Sequence, residues 1–345
     1  MQKVLIVGAG LSGICLAHHF LDEKKEVTLV DNRINHSSII AAGIINPLVF
    51  RRMTKSWRVD AFLPYAKKYY ETLEEKIGQS FYHSLVIRRF FSCEQERNFW
   101  IERQEDPLFS QYMNKINDED ETLYPYANIY GSGRVKNAGY VDAALFIKET
   151  KQALKTEIEI IENPFDYTKL NPQTGEYLGN QYDQIVFAEG YLGKANPWFN
   201  YLPLTQTKGE VLEVKMVNIQ TTESLNRKCF LLPTKNNYKI GSTYSWNDPS
   251  TNPTDEGRTV ILENLSYLTP EKPTIVSHTV GVRPTTHDRR PFIGIHPKHS
   301  KLAVFNGLGA KGYLIAPLLA KEFVSSLCHG TEIDKECQLS LKRIK

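Results

Sequence analysis

Two stretches near opposite ends of the chain share one glycine spacing. VLIVGAGLSGICLAHHF holds Gly8, Gly10 and Gly13, and FNGLGAKGYLIAP holds Gly307, Gly309 and Gly312. Glycines spaced G-x-G-x-x-G at a strand-to-helix turn permit a tight bend, let a pyrophosphate approach the main chain and let the helix sit on the sheet. The following helix offers free N–H groups and the positive end of its dipole. In the N-terminal copy, Ala9, Leu11 and Ser12 complete the loop. Asp31 stands eighteen residues past Gly13, where an acid can hold a ribose hydroxyl. This constellation predicts a dinucleotide site and by itself leaves flavin and nicotinamide both open. The C-terminal copy carries Leu308, Ala310 and Lys311 between its glycines and is followed by GTEIDKECQLS, which has no apolar strand leading to an acid. It therefore predicts no second dinucleotide site, only a helix N-terminus approached by bare backbone and suited to an electron-rich group. No catalytic triad is evident, the cysteines form no C-x-x-C pair, and no metal site is expected.

Positioning these turns requires a parallel sheet. Val4–Val7 and the segment EVTLVD read as buried strands flanking a helix from Leu11, with His18 expected at the core edge and His19 at the surface. Arg58–Ile77 reads as one amphipathic helix that tolerates Pro64 near its start, and Gly139–Leu154 as another. QIVFAEG is a further buried strand, and KLAVFN leads into the late turn. Between these pieces the character is β-rich: Ser80–Ser92, then TKGEVLEVK, CFLLPT and YKIGSTYS. Asp106–Tyr126 reads as polar and turn-rich. The parallel pattern thus comes in pieces, with an antiparallel, aromatic-rich layer threaded between them.

Composition bounds the possibilities. A chain of 345 residues exceeds the usual single-core size, and a net charge of +3 is too small for a nucleic-acid coating. Five cysteines, an odd number, suit a reduced compartment better than a disulfide framework. The longest apolar run, Ser38–Phe50, is too short to span a bilayer, and Met1 leads almost directly into a strand. A cytoplasmic protein without a membrane partner is expected.

The segments VLIVGAGLSG…VTLVD, IVFAEG, GVRPTTHDRRPFIG and NGLGAKGYLIAP resemble, in order and spacing, the D-amino-acid oxidase / glycine oxidase family of FAD-dependent oxidoreductases. The resemblance implies an α/β chain, α+β overall, in which a Rossmann-type FAD-binding domain (1–75, 130–195, 283–345) is interleaved with an antiparallel-sheet substrate domain (76–129, 196–282). FAD would be gripped at both ends, its ADP half on Gly8–Gly13 and Asp31, its ring on Gly307–Gly312. Family positions also imply Ala42, Gly43, Phe165, Gly190 and Gly294 as cofactor contacts. Arg283 occupies the place of the carboxylate-binding arginine, and Phe230 the place where some relatives carry a substrate-side tyrosine, so that it would contribute only an apolar wall; Tyr244 and Trp246 are candidates either for the pocket rim or for core packing.

The implied chemistry is oxidation of the C–N bond of a small amine or amino acid by hydride transfer to flavin N5, with oxygen as acceptor. Glycine oxidases place an arginine in the late loop where this chain reads Gly309-Ala310-Lys311. That loop, and AAGIINPLVFRRMTKSWRVDAFLPYAKKYY, instead resemble the oxidase domain of the bifunctional tRNA 5-methylaminomethyl-2-thiouridine biosynthesis protein. This implies a second reading: removal of a carboxymethyl group from a wobble uridine. The basic stretch Arg51, Arg52, Lys55 and Arg58 is then either a contact for tRNA phosphates or, as a short basic helix start usually is, a solvated face. A flavin- or nicotinamide-binding protein without turnover is the third.

Overall fold

The computed structural model describes residues 1–34, 36–50, 53–116, 124 and 126–344. Two large sheets dominate. The first has six strands in the order Phe292–Ile295, Leu302–Asn306, Gln184–Phe187, Lys3–Val7, Glu26–Val30 and Glu159–Ile161. Every neighbouring pair is parallel except the first, which is antiparallel. Val4, Leu5 and Ile6 are fully buried, as a central strand covered on both faces requires.

The second sheet has eight strands, in the order Thr274–Thr285, Thr205–Lys215, Tyr238–Gly241, Cys229–Pro233, Ser224–Arg227, Tyr82–Phe90, Ser132–Val141 and Ile44–Ile45. Ladders within it are antiparallel, apart from Ser224–Arg227 beside Tyr82–Phe90. Gly139–Val141 belongs to this sheet, so the helix expected from Gly139 begins only at Ala143. Asp142 explains the boundary: its carboxylate accepts the Leu145 N–H at 3.2 Å and caps the helix.

The helices Leu11–Asp22 and Gly312–His329 pack together against the six-stranded sheet, with Val59–Ile77 across the second of them. Because a neighbour covers each face of the first, its residues from Ile14 to Phe20 are all buried. His19 is therefore interior, not at the surface; its Nε2 lies 3.1 Å from the Pro317 carbonyl. His18 is also buried, and burial pushes its pKa down to about 4. Pro317 has no N–H to give the Tyr313 carbonyl one turn back, and the Tyr70 hydroxyl donates to that oxygen instead, at 2.8 Å. Among the described residues, no helix is long and apolar enough to cross a membrane.

Candidate active site

Both glycine turns open into one cavity of about 610 Å³, within the usual size range of a cofactor site. At one end the strand Lys3–Val7 runs out beneath Gly8, Ala9 and Gly10. A Cβ on Gly8 would stand 2.5 Å from the Ala188 oxygen, so only glycine lets the neighbouring strand end approach. Gly13 does not face the cavity; a Cβ there would meet the Gly8 oxygen at 1.8 Å, so its bareness seats the helix on the turn. Gly10 supplies no capping side chain to the helix Leu11–Asp22, and neither this helix nor Gly312–His329 has an acid in its first turn. Two positive helix ends thus face the same space. The donor set suits an anion such as a diphosphate.

Asp31 lines the cavity but is not a free acceptor. Its carboxylate receives the Arg33 N–H at 2.9 Å and forms an ion pair with Lys151, from a helix 120 residues onward. Phe165 lines the wall nearby and stacks on Tyr177 at 4.3 Å between ring centroids. Ala42, Gly43 and Gly190 also line it. Gly43, at φ +67°, abuts the Val141 oxygen so closely that a Cβ would sit 1.9 Å from it.

In the late turn, Leu308, Gly309, Ala310, Lys311 and Gly312 line the cavity. Gly307 does not; it packs under the turn against Thr286. Gly294 lies away from the cavity altogether: it sits in the edge strand Phe292–Ile295, facing Leu339. Its family position implied a cofactor contact, but the strand turns it away from the cavity. Lys311 Nζ donates to the Asn46 carbonyl at 3.2 Å, to the Leu48 carbonyl and to Ser56 Oγ. Among the described residues it has no carboxylate partner, and burial, followed by the charge of Arg289, lowers its pKa to about 8.

Arg283 comes from the end of Thr274–Thr285. Antiparallel pairing sets Gly281 opposite Gly209, and Arg283 lies two residues on, on the same face. Its guanidinium lies across Gly209, within 2.1–2.3 Å of where a Cβ would stand. It donates to Ser242 Oγ at 2.8 Å and to the Thr243 carbonyl at 3.4 Å, and packs 4.5 Å from the Tyr244 ring centroid. Burial lowers its pKa, but a guanidinium stays charged. Among the described residues no carboxylate pairs with it. Phe230 and Tyr244 line the same region, whereas Trp246 does not and is exposed.

On the far face of that strand pair, Glu210 accepts from Thr254 N at 2.9 Å and pairs with His278 at 2.7 Å, while Lys208 pairs with Asp248 at 2.6 Å. This network ties the 242–254 loop, which supplies the guanidinium's acceptors, to the sheet. It also gives His278 a position behind the cavity wall.

Several lining residues were not anticipated from the sequence: Gly209, Gly281, Ser242, Tyr167 and Glu189. A glycine within TKGEVLEVK, an otherwise β-forming run, was the available signal for close approach at 209. Glu189 accepts from the Tyr167 hydroxyl and from Asn196 Nδ2, the latter at 2.8 Å, and burial raises its pKa to about 7. Of the basic cluster, Arg51 and Arg52 lie outside the described residues. Lys55 pairs with Asp60, and Arg58 with Glu322 and, at 3.0 Å, Asp334.

The chain matches the family model described as DAO, FAD dependent oxidoreductase, over residues 3–325. It is 22% identical to the glycine oxidase of Bacillus subtilis (strain 168), over 97% of this chain and 95% of that one. It is 23% identical to the tRNA 5-methylaminomethyl-2-thiouridine biosynthesis bifunctional protein of Idiomarina loihiensis, over 99% of this chain and 58% of that one. The solved glycine oxidase from Geobacillus kaustophilus shares the fold at a TM-score of 0.84 and 18% identity, with 99% of each chain covered. Iminodiacetate oxidase from Chelativorans sp. BNC1 does so at 0.75 and 18%, over 99% of this chain and 98% of that one. With the family model spanning nearly its whole length, this chain belongs to the DAO family of FAD-dependent oxidoreductases and is an enzyme that uses FAD.

Proposed function

We propose that the enzyme oxidises the C–N bond of an amino acid or N-substituted glycine, with oxygen as the electron acceptor. The observation that carries this reading is Arg283, a half-buried guanidinium in the cavity wall with no anionic partner among the described residues. A charge buried without a counter-ion is costly unless a ligand supplies one, and a planar fork suits a carboxylate.

In this reading the Gly8–Gly13 turn would hold the diphosphate of FAD and the Leu308–Gly312 turn its ring. When bound, it supplies the hydride acceptor for oxidation of the carbon that bears the amine. The chain's own residues bind and orient. Arg283 fixes the substrate carboxylate, while Ser242 Oγ, the Thr243 carbonyl and the Tyr244 ring fix Arg283. Phe230 gives an apolar wall that keeps water from the reacting carbon. The uncapped end of Gly312–His329 and the Lys311 ammonium would offer positive charge to an electron-rich ring held at that turn.

The domain division at 1–75, 130–195 and 283–345 against 76–129 and 196–282 belongs to the same proposal. Its cofactor part holds the six-stranded sheet, while it lends Ile44–Ile45, Ser132–Val141 and the last three residues of Thr274–Thr285 to the other sheet.

Anaerobic bleaching of the flavin by glycine, sarcosine, iminodiacetate, proline and D-amino acids tests the reading. Arg283→Leu is expected to cost about 2–5 kcal/mol of carboxylate binding. Bleaching only by amines without a carboxylate would overturn it. The tRNA reading is favoured by the late loop, where Ala310 and Lys311, and no arginine, line the cavity. It takes over if tRNA bearing a carboxymethylaminomethyl uridine bleaches the flavin and no small amine does. Lys55 and Arg58 weigh against it, since their charges are already met by acids of this chain.

A further inference from the structure

Two carboxylates line the cavity, and they are treated differently. Asp31 has its cation in Lys151. Glu189 forms no ion pair among the described residues; its oxygens receive only the neutral Tyr167 hydroxyl and Asn196 amide. Yet Glu189 stands beside the anion-binding turn. Its Cα is 3.3 Å from where a Cβ on Gly8 would stand, and the Ala188 oxygen before it closes on the same glycine. The turn is arranged to attract negative charge: the Leu11 N–H donates to the neutral Ser38 Oγ at 3.0 Å, and no acid stands in the first helical turn. An ionised carboxyl on the adjoining strand end opposes that arrangement. A neutral one does not, and it adds an O–H donor.

We propose that Glu189 takes up a proton from solvent when FAD binds, so that the enzyme's hold on its cofactor weakens as pH rises through neutrality. The proposal rests on the placement of the diphosphate on Gly8–Gly13.

The surroundings of Glu189 keep the effect assignable to it. Tyr167 faces it from the turn Tyr167–Lys169 and Asn196 from the end of Gly190–Ala195. Gly8 to Gly10 carry no titratable side chain. Asn306 reaches the Gly190 carbonyl at 2.8 Å and is neutral, and Lys194, on the short helix that Glu189 opens, is exposed. Burial without a nearby cation holds the carboxyl's pKa up at about 7 before any anion arrives. A diphosphate raises it further.

The sign follows from linkage. The bound state carries the extra proton, so affinity is full below the pKa of the free site and falls above it. Between pH 6 and 7.5, a window in which Lys311 at about 8 stays mostly protonated, the dissociation constant should rise about fourfold.

Serial dilution of the full-length holoenzyme, read by recovery of free-FAD fluorescence, gives this constant at each pH. Glu189→Gln is expected to remove the pH dependence and to keep the tight value of pH 6 at both ends. A wild-type constant equal at pH 6 and 7.5 would overturn the proposal without need of any variant, as would a Gln variant that retains the fourfold change. Ser12→Asp separates the underlying placement: it should weaken FAD at both pH values. An unchanged constant there would mean that the diphosphate lies elsewhere, and the proposal would fall with it.

Discussion

Replacing Gly209 by alanine tests the geometry that aims Arg283 more sharply than removing Arg283 itself. The strand pairs regularly with Gly281 here, and no left-handed φ is involved, so alanine adds no backbone strain. What it adds is a methyl group 2.1 Å from one guanidinium nitrogen and 2.3 Å from the other and from the central carbon. Ordinary contact needs roughly 3.4 Å or more, so the fork must retreat by more than about 1 Å. That retreat stretches the 2.8 Å bond to Ser242 Oγ and takes the fork off the Tyr244 face. A misplacement of about 1 Å in a positioning group costs on the order of a hundredfold, or about 2.7 kcal/mol. Global stability should change by less than about 1 kcal/mol, because the displaced atoms end a flexible side chain. The assay is titration with a small unreactive carboxylate, followed by the shift of the visible flavin bands, alongside a thermal melt. Wild-type carboxylate affinity in Gly209→Ala, with Arg283→Leu impaired, would refute the packing argument. Wild-type affinity in both would remove Arg283 from the site.

Two further outcomes are expected. Asp31→Ala should lower FAD affinity about ten- to a hundredfold. It should also lower the melting temperature, because Lys151 is left without its partner; an unchanged melt would show that the ion pair contributes nothing to the fold. His18, neutral in the fold with a pKa of about 4 against 6.5 unfolded, makes the unfolded chain bind more protons below pH 6.5. Stability should fall as pH drops from 6.5 toward 4, by about 3 kcal/mol for this residue. Denaturant titrations at pH 7 and 4.5 in wild type and His18→Phe measure that share, and an equal fall in both would refute it.

Local pattern reached as far as local physics does. The wholly apolar Val4–Val7, the glycine turn and the acid ending the next strand are consecutive, so sequence spacing carries their geometry. Asp31's partner is not consecutive: Lys151 lies on a helix whose face reads as solvated until the fold sets it beside the second strand. Glu189 failed to stand out for a similar reason, since one acid after a buried strand looks like a surface residue. Gly294 went the other way: its family position implied a cofactor contact, while the strand that carries it turns toward Leu339. At Gly139–Val141, Tyr140 and Val141 fit an apolar helical stripe, and only the capping carboxylate of Asp142 marks where the helix can start.

The cavity has walls from both extremes of the chain: Gly8 and Gly309 are separated by roughly three hundred residues, a contact of very high sequence separation. A ribosome delivers the first wall long before the last. Until Gly312–His329 emerges, the part of Leu11–Asp22 that packs on it has no cover, and the late glycine turn lacks the helix that follows it. Under the proposed placement of FAD, a nascent chain could thus hold at most one half of its cofactor until that helix has been made. Any chain cut short before that helix would leave an adhesive, colourless remnant rather than a weaker enzyme.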